Sequence, residues 1–267
     1  MLEKYIYISQ HERLGERFWT DENLEKELPG IYRHLKEFSR KTKAPEYMYL
    51  WAEDTFYFNS GLFFVPQGIR KSCLSGRDIL DCGASHGDSA LAFGRIQGVR
   101  KVFSFEPVAS NFKQLLDTIA FCGLDNVMPF KLGVGERKAV ARMDDEGFSS
   151  SIDDAARGEK VEVTDIDSFV REHKASLGVV KLDVEGHELK AIKGAMKSII
   201  RDRPILLISI YHTPEDFFKI KPYLEGRLKG YRYMIRHLVH YHPVYETVLI
   251  GYPEREVQHG KRRKSSW

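Results

Sequence analysis

Apolar residues of this chain gather into short runs from residue 72 onward, and most of these runs end on a glycine or an acid. Five of them, at 78–82, 101–105, 127–132, 179–184 and 205–210, have the length and composition of buried strands. Between them the apolar spacing changes to three and four. One helix follows the first strand through Ile96. The next carries Phe112, Leu115, Leu116 and Ile119 on one face and stops at Gly123. Residues 164–174 predict a helix after a short strand, and a longer helix runs from about Glu188 to Arg201 with Leu189, Ile192, Met196 and Ile199 inward. Thr213-Pro214-Glu215-Asp216 has the form of a helix start: a capping hydroxyl, a proline at the first position and acids in the first turn. Residues 230–238 and 246–251 predict a closing antiparallel hairpin, and the polar stretch 144–160 predicts a loop. This alternation predicts an α/β domain with a Rossmann-like, seven-stranded, mostly parallel sheet over residues 73–253.

Residues 1–72 read as a small N-terminal lobe. Thr20 or Asp21 can cap a short helix there. Pro29 suits the start of another, with Ile31, Leu35 and Phe38 at helical spacing. Tyr47, Tyr49, Trp51, Phe56, Tyr57, Phe58, Phe63 and Phe64 make the next segment aromatic, and short strands covering one edge of the core are expected. A stacking rim for a substrate is the sharper alternative. The tail, 254–267, carries Lys261-Arg262-Arg263-Lys264 and is expected to be disordered.

Composition narrows the class only modestly. The 267 residues are 42% hydrophobic and 30% charged, as in ordinary globular proteins, and a net charge of +3 does not by itself point to a nucleic-acid partner. Cys73, Cys82 and Cys122 are odd in number and lack CxxC spacing, which predicts a reducing, cytoplasmic setting. No apolar run has the length of a membrane span, and the N-terminus lacks a signal-peptide core.

Two strand ends carry the strongest chemical signal. Ile79-Leu80-Asp81-Cys82-Gly83-Ala84-Ser85-His86-Gly87 ends one strand in a glycine turn, and Val102-Phe103-Ser104-Phe105-Glu106-Pro107 ends the next on an acid. Such pairs build nucleotide sites: the glycines admit backbone to the ligand and the acid accepts both ribose hydroxyls. Only Gly83 and Gly87 are present, without the third glycine that lets backbone approach a pyrophosphate. A nucleoside such as S-adenosylmethionine therefore fits better than a nicotinamide dinucleotide. Asp81 and Gly83 would lie under its methionine part, with turn backbone donating to its carboxylate. Asp88 would cap the next helix or hold the ligand's ammonium.

The fourth strand adds Lys181, Asp183 and Glu185 on one face, costly in a covered sheet unless they are paired or meet a ligand. A structural ion pair is the plain reading. Asp183 as the group that orients an acceptor hydroxyl is the functional one. A divalent metal on Asp183, Glu185 and Glu188 is weighed and not favoured. His212, just after the fifth strand, is a candidate general base if its pKa is near neutral. His237, His240 and His242 are assigned to packing in the last hairpin rather than to zinc.

These segments resemble the FkbM-type methyltransferases, a branch of the S-adenosylmethionine-dependent Rossmann-like enzymes. The likeness rests on the glycine turn 81–88, Phe105-Glu106-Pro107 with Asn111-Phe112, Lys131-Leu132-Gly133-Val134-Gly135, and above all Val180-Lys181-Leu182-Asp183-Val184-Glu185-Gly186-His187-Glu188. Arg203-Pro204-Ile205-Leu206, Tyr211 to Asp216 and Glu246-Thr247-Val248-Leu249 continue it. The resemblance implies a class I methyltransferase fold and O-methylation of a sugar, glycan or natural-product hydroxyl. It implies cofactor contacts from Asp81, Gly83, Glu106 and Leu132, and the same turns bring in Ser85, Gly87, Pro107 and Gly133. Asp183 and His212 are the catalytic candidates. A nucleic-acid acceptor is disfavoured because the only clear basic run is the tail. A binding protein that holds the cofactor without turnover and a nicotinamide oxidoreductase are the rivals from other classes.

Overall fold

A computed structural model of the chain describes residues 53–144, 147–149, 159–239 and 244–254. The expected helices at Thr20 or Asp21 and at Pro29, the aromatics Tyr47, Tyr49 and Trp51, His240, His242 and the basic run lie outside the described residues.

The main sheet has seven strands: β1 (Asp78–Cys82), β2 (Val102–Phe105), β3 (Val127–Phe130), β8 (Leu177–Leu182), β9 (Ile205–Ser209), β10 (Tyr231–His237) and β11 (Thr247–Pro253). Their order is β10-β11-β9-β8-β1-β2-β3, with β11 antiparallel to both neighbours and the other pairs parallel. Strand order therefore reverses between β1 and β8, which opens a crevice at their carboxyl ends. Both strands are buried along their whole length, as strands covered on two faces must be. Ile79 and Val179 point into one apolar layer with Phe93 and Ile250. Leu80 and Val180 point into the other with Phe169 and Ile208.

The helices that cover the sheet are α1 (Glu53–Phe56), α2 (Gln67–Leu74), α3 (Asp88–Gly94), α4 (Ala109–Cys122), α5 (Ile166–His173), α6 (Glu188–Lys193), α7 (Met196–Asp202) and α8 (Pro214–Glu225). The start of α8 is as the sequence predicts: Thr213 Oγ1 accepts from the Asp216 N–H at 3.1 Å. On α4, Leu115 is buried but Leu116 is exposed, because one residue turns the side chain by about 100°. The expected long helix 188–201 is two helices. Gly194 breaks it because a Cβ there would lie 2.2 Å from the Gly135 carbonyl oxygen. The second helix is then capped from a distance, the Asp167 carboxylate accepting from the Ser198 N–H at 2.7 Å.

Two further expectations are corrected. The aromatic segment from Phe56 to Phe64 is not stranded: α1 leads into a 3-10 segment, Asn59–Phe64. Ser60 and Gly61 take positive φ there, so the aromatics curl onto one another, with Phe58 stacked on Phe64 at 5.3 Å. Gly61 then approaches Ile250 so closely that a Cβ would sit 2.9 Å from its Cδ1. The polar stretch assigned to a loop enters a second sheet of order β4-β7-β5-β6, from β4 (Gly133–Gly135), β5 (Ala139–Asp144), β6 (Gly147–Ser149) and β7 (Glu159–Asp165). In β7, Val161 is buried between exposed Lys160 and Glu162. A strand with one wet face hides easily inside a polar run.

Cys73, Cys82 and Cys122 are free and buried. Among the described residues no helix is long and apolar enough to cross a membrane.

Candidate active site

The carboxyl ends of β1, β2, β8 and β9 bring Gly83–Gly87, Glu106, Asp183–Glu188 and Tyr211–His212 to one sheet edge, and Glu246 joins them just before antiparallel β11. Ser85, Glu185 and Glu246 hold positive φ of 44°, 52° and 58° at this edge. For residues with a Cβ this conformation is strained, and such strain gathers where loops are shaped for function.

Under the edge lies a closed charge network. Asp81 is fully buried and its two oxygens each accept from Ser89 Oγ at 2.9 Å, with Ser104 Oγ at 3.3 Å. Lys181 Nζ is 3.3 Å from Asp81 Oδ1 and donates to the Gly83 carbonyl at 2.8 Å. Burial alone would lower the Lys181 pKa. Asp81, Asp183 and Asp88 outweigh it and push it up, so the ammonium stays charged. Asp81 is thus enclosed by protein donors. The plain reading pairs Lys181 with Asp183 or Glu185; Asp183 Oδ2 does lie at 3.9 Å, but the nearer partner is Asp81, on the neighbouring strand.

The glycine turn is also tied inward. Gly83 and Ala84 N–H both donate to the Phe105 carbonyl, at 3.0 and 2.9 Å. Ser85 N–H donates to Glu106 Oε2 at 2.9 Å. The first three turn donors are therefore spent within the protein, which corrects the expectation that they receive a ligand carboxylate. Gly83 is needed for another close approach: with φ of 81°, a Cβ would lie 1.8 Å from the Asp183 carbonyl oxygen. Gly87, at φ of 96°, is pressed against Leu115 and Thr118 of α4. Asp88 stands in the first turn of α3 and accepts from Thr55 Oγ1 at 3.1 Å.

Glu106 is buried beside buried Pro107. Besides Ser85 N–H it accepts from Val108 N–H at 2.9 Å, so it staples the β1 turn to the start of α4. Burial raises its pKa, against the pull of these two N–H groups. Of about four acceptor directions on its carboxylate, two meet these N–H groups and a third the Asn111 side chain. Leu132 is partly buried, and Gly133 is a buried member of β4 paired to Val163.

Asp183 and His212 do meet. His212 Nε2 lies 3.5 Å from Asp183 Oδ1 and 3.4 Å from Glu185 Oε2, while Nδ1 is bonded to Glu188 Oε1 at 2.9 Å. Burial lowers the His212 pKa, but Glu188, Asp183 and Glu185 together carry it up to about 9. The near-neutral imidazole expected from sequence is corrected: this ring rests as imidazolium. Tyr211 OH donates to Glu246 Oε1 at 3.1 Å and stands 3.5 Å from Asp183 Oδ1. Burial first, then Asp54 and Asp183, push Glu246 up to about 9. Burial and Asp88 push Asp54 up to about 7. His237, at the carboxyl end of β10, is buried and paired with Thr247, its Nδ1 3.3 Å from Thr247 Oγ1.

Asp54, Thr55, Ser89 and Ser104 are missing from the sequence reading. Ser104 had a signal, being the one polar residue inside Val102–Phe105. Asp54 had none, since its approach depends on the 3-10 turn.

Residues 81–233 match the family model described as Methyltransferase FkbM domain, more than half of the chain. A crystal structure of methyltransferase FkbM from Methylobacillus flagellatus KT matches with a TM-score of 0.54 and 23% identity, over 86% of this chain and 60% of that one. The chain thus spans well under two thirds of that protein, and the likeness is one of fold. A methyltransferase from Geobacter sulfurreducens matches at TM-score 0.46 and 12% identity, over 88% of this chain and 98% of that one. An rRNA methylase from Streptococcus thermophilus matches at TM-score 0.46 and 10% identity, over 70% and 93%. No curated protein sequence matches the chain. With the β1/β8 crevice, the acid after β2 and the family match in agreement, the chain belongs to the FkbM methyltransferase domain family.

Proposed function

We propose that this protein is an S-adenosylmethionine-dependent O-methyltransferase acting on a hydroxyl of a sugar or glycan. The observation that carries the reading is the meeting of Asp183 and His212 at the crevice between β1 and β8, one strand from buried Glu106. The residues fit the cofactor in kind: a buried carboxylate with an acceptor direction left over suits a ribose hydroxyl, and Leu132 offers an apolar contact for adenine. Glu106 would hold a ribose hydroxyl, with Gly83, Ser85, Gly87, Pro107 and Gly133 shaping the walls, and Asp81 acting from beneath through Lys181.

Bound S-adenosylmethionine would supply a methyl group already activated by its sulfonium. What remains for the protein is alignment and proton removal. Asp183 faces three donors, Lys181 at 3.9 Å and His212 and Tyr211 at 3.5 Å, and we assign it to accept from the acceptor hydroxyl. Asp183 takes up that proton, and the charged His212, through Nε2, holds the Asp183 carboxylate in place. The polar rim of Asp183, Glu185, Tyr211 and Glu246 suits an acceptor rich in hydroxyls.

Calorimetry with S-adenosylmethionine, S-adenosylhomocysteine and NAD, with and without EDTA, tests this directly. Binding of the first two but not of NAD is expected, followed by methyl transfer to members of a glycan panel. Binding of NAD alone would overturn the reading.

A further inference from the structure

Asp183, Glu188 and His212 present one ligand atom each, all within 4.8 Å of one another. We infer that they hold a divalent cation of the Mn²⁺ type at the acceptor end of the crevice. The inference rests on the methyl-transfer reading for its purpose, though not for its geometry.

Three observations carry it. The first is the donor set. Two carboxylates and one imidazole make a mixed oxygen and nitrogen site. Oxygen ligands suit Mg²⁺, Ca²⁺ and Mn²⁺, and an imidazole among them moves the preference to the transition-metal end, where Mn²⁺ accepts both. Glu185 Oε2, 3.4 Å from His212 Nε2 on the open side, can add a further oxygen.

The second is an orphaned atom. Glu188 has no exposed surface, and its Oε1 accepts from both Val184 N–H at 2.8 Å and His212 Nδ1. Its Oε2 is buried with no hydrogen-bond partner. A carboxylate oxygen sealed from water without a partner is costly, and a cation in the cluster would remove that cost.

The third is the local charge. Asp216, also buried, is set against Glu188 from α8. Among the described residues the cationic side chains within 4.0 Å of Asp183, Glu185 and Glu188 are His212 and, at Asp183 alone, Lys181, so negative charge is in excess and a divalent cation would offset it.

A bound ion would take the place of the Nε2 proton, which His212 releases to solvent to become a neutral ligand, and its charge would favour loss of the acceptor hydroxyl's proton to a nearby carboxylate. The ion would then choose among acceptors: vicinal hydroxyls, as on a sugar ring, can offer two oxygens to one cation.

The test uses the full chain, stripped with EDTA and titrated with MnCl₂ while bound ion is read by electron paramagnetic resonance. One ion per chain is expected. His212→Gln and Asp183→Asn should each weaken Mn²⁺ binding by about tenfold or more. Glu188→Gln should do the same but can also loosen Val184, so the two milder variants decide. Circular dichroism checks that each variant is folded. No Mn²⁺ binding, or binding that neither His212→Gln nor Asp183→Asn weakens, overturns the inference. S-adenosylhomocysteine binding to the same samples separates the two readings: S-adenosylhomocysteine binding with no Mn²⁺ binding sinks the cation alone, and Mn²⁺ binding with no S-adenosylhomocysteine binding sinks the methyltransferase reading alone.

Discussion

Two groups of charges lie within a few ångströms of each other at the β1/β8 edge and are built on opposite rules. In the lower one, Asp81 and Lys181 are almost wholly buried, and every charge meets a partner: Ser89, Ser104 and the Gly83 carbonyl complete the set. In the upper one, Asp183, Glu185, Glu188 and Glu246 crowd round one imidazole, the rim is partly open, and Glu188 Oε2 is unmatched. A satisfied network holds its shape without help and is a floor. An unbalanced one is incomplete until something charged or polar arrives, which is what a binding site requires. The same strand supplies both: Lys181 lies within β8, and Asp183, which directly follows it, begins the rim.

The largest effect should come from breaking the floor. Lys181→Met leaves Asp81 buried and uncompensated and should cost about 3–5 kcal/mol of stability, measured by urea unfolding. A loss under about 1 kcal/mol would show that the two layers are not different in kind. Next, His212→Gln should cost less stability than Lys181→Met, because the amide can still donate to Glu188, while lowering methyl transfer about 100-fold, equivalent to about 2.7 kcal/mol of barrier. Equal damage to stability would return His212 to the floor. Smaller again is Glu106→Gln, which should weaken S-adenosylhomocysteine binding about tenfold by calorimetry, or about 1.4 kcal/mol. Unchanged affinity would leave Glu106 as the staple between Ser85 and Val108 and nothing more.

How much of this was legible in the chain follows the same division. The seven strands and their hairpin were readable because β1, β8 and β9 are unbroken apolar runs, whose period needs no partner to be seen. Asp183 and His212 were readable as a pair because each directly follows such a run. The roles of the glycine turn were only half readable. Gly83 is required, yet by the Asp183 carbonyl across the sheet rather than by a ligand, and sequence spacing cannot tell these apart. The break at Gly194 and the curl at Ser60-Gly61 depend on contacts with Gly135 and Ile250, distant in sequence, so local pattern predicted a longer helix and short strands instead. The His212 pKa was misjudged for the same reason: the carboxylate that moves it most, Glu188, is placed by a different helix.

The smallest expected effect tests whether the rim is over-supplied with negative charge. Asp54 and Glu246 are both held above their ordinary values of 3.8 and 4.5, at about 7 and about 9. The folded chain therefore binds these two protons more tightly than the unfolded chain. The stability they add is fully present below about pH 4 and is lost as pH rises, through about 7 for Asp54 and about 9 for Glu246. In EDTA, the melting temperature should fall between pH 5 and pH 9 by more than it falls in Glu246→Gln. At pH 9 the variant should melt about 2–4 °C higher than the parent, the shift that about 1 kcal/mol gives in a domain of this size. The sign follows from the neighbours: Asp54, Asp183 and Glu246 repel one another once ionised, and the amide keeps the acceptor that Tyr211 needs. A variant that melts lower at pH 9 would mean that Glu246 is stabilised as a carboxylate. The upper layer would then be as well balanced as the floor beneath it.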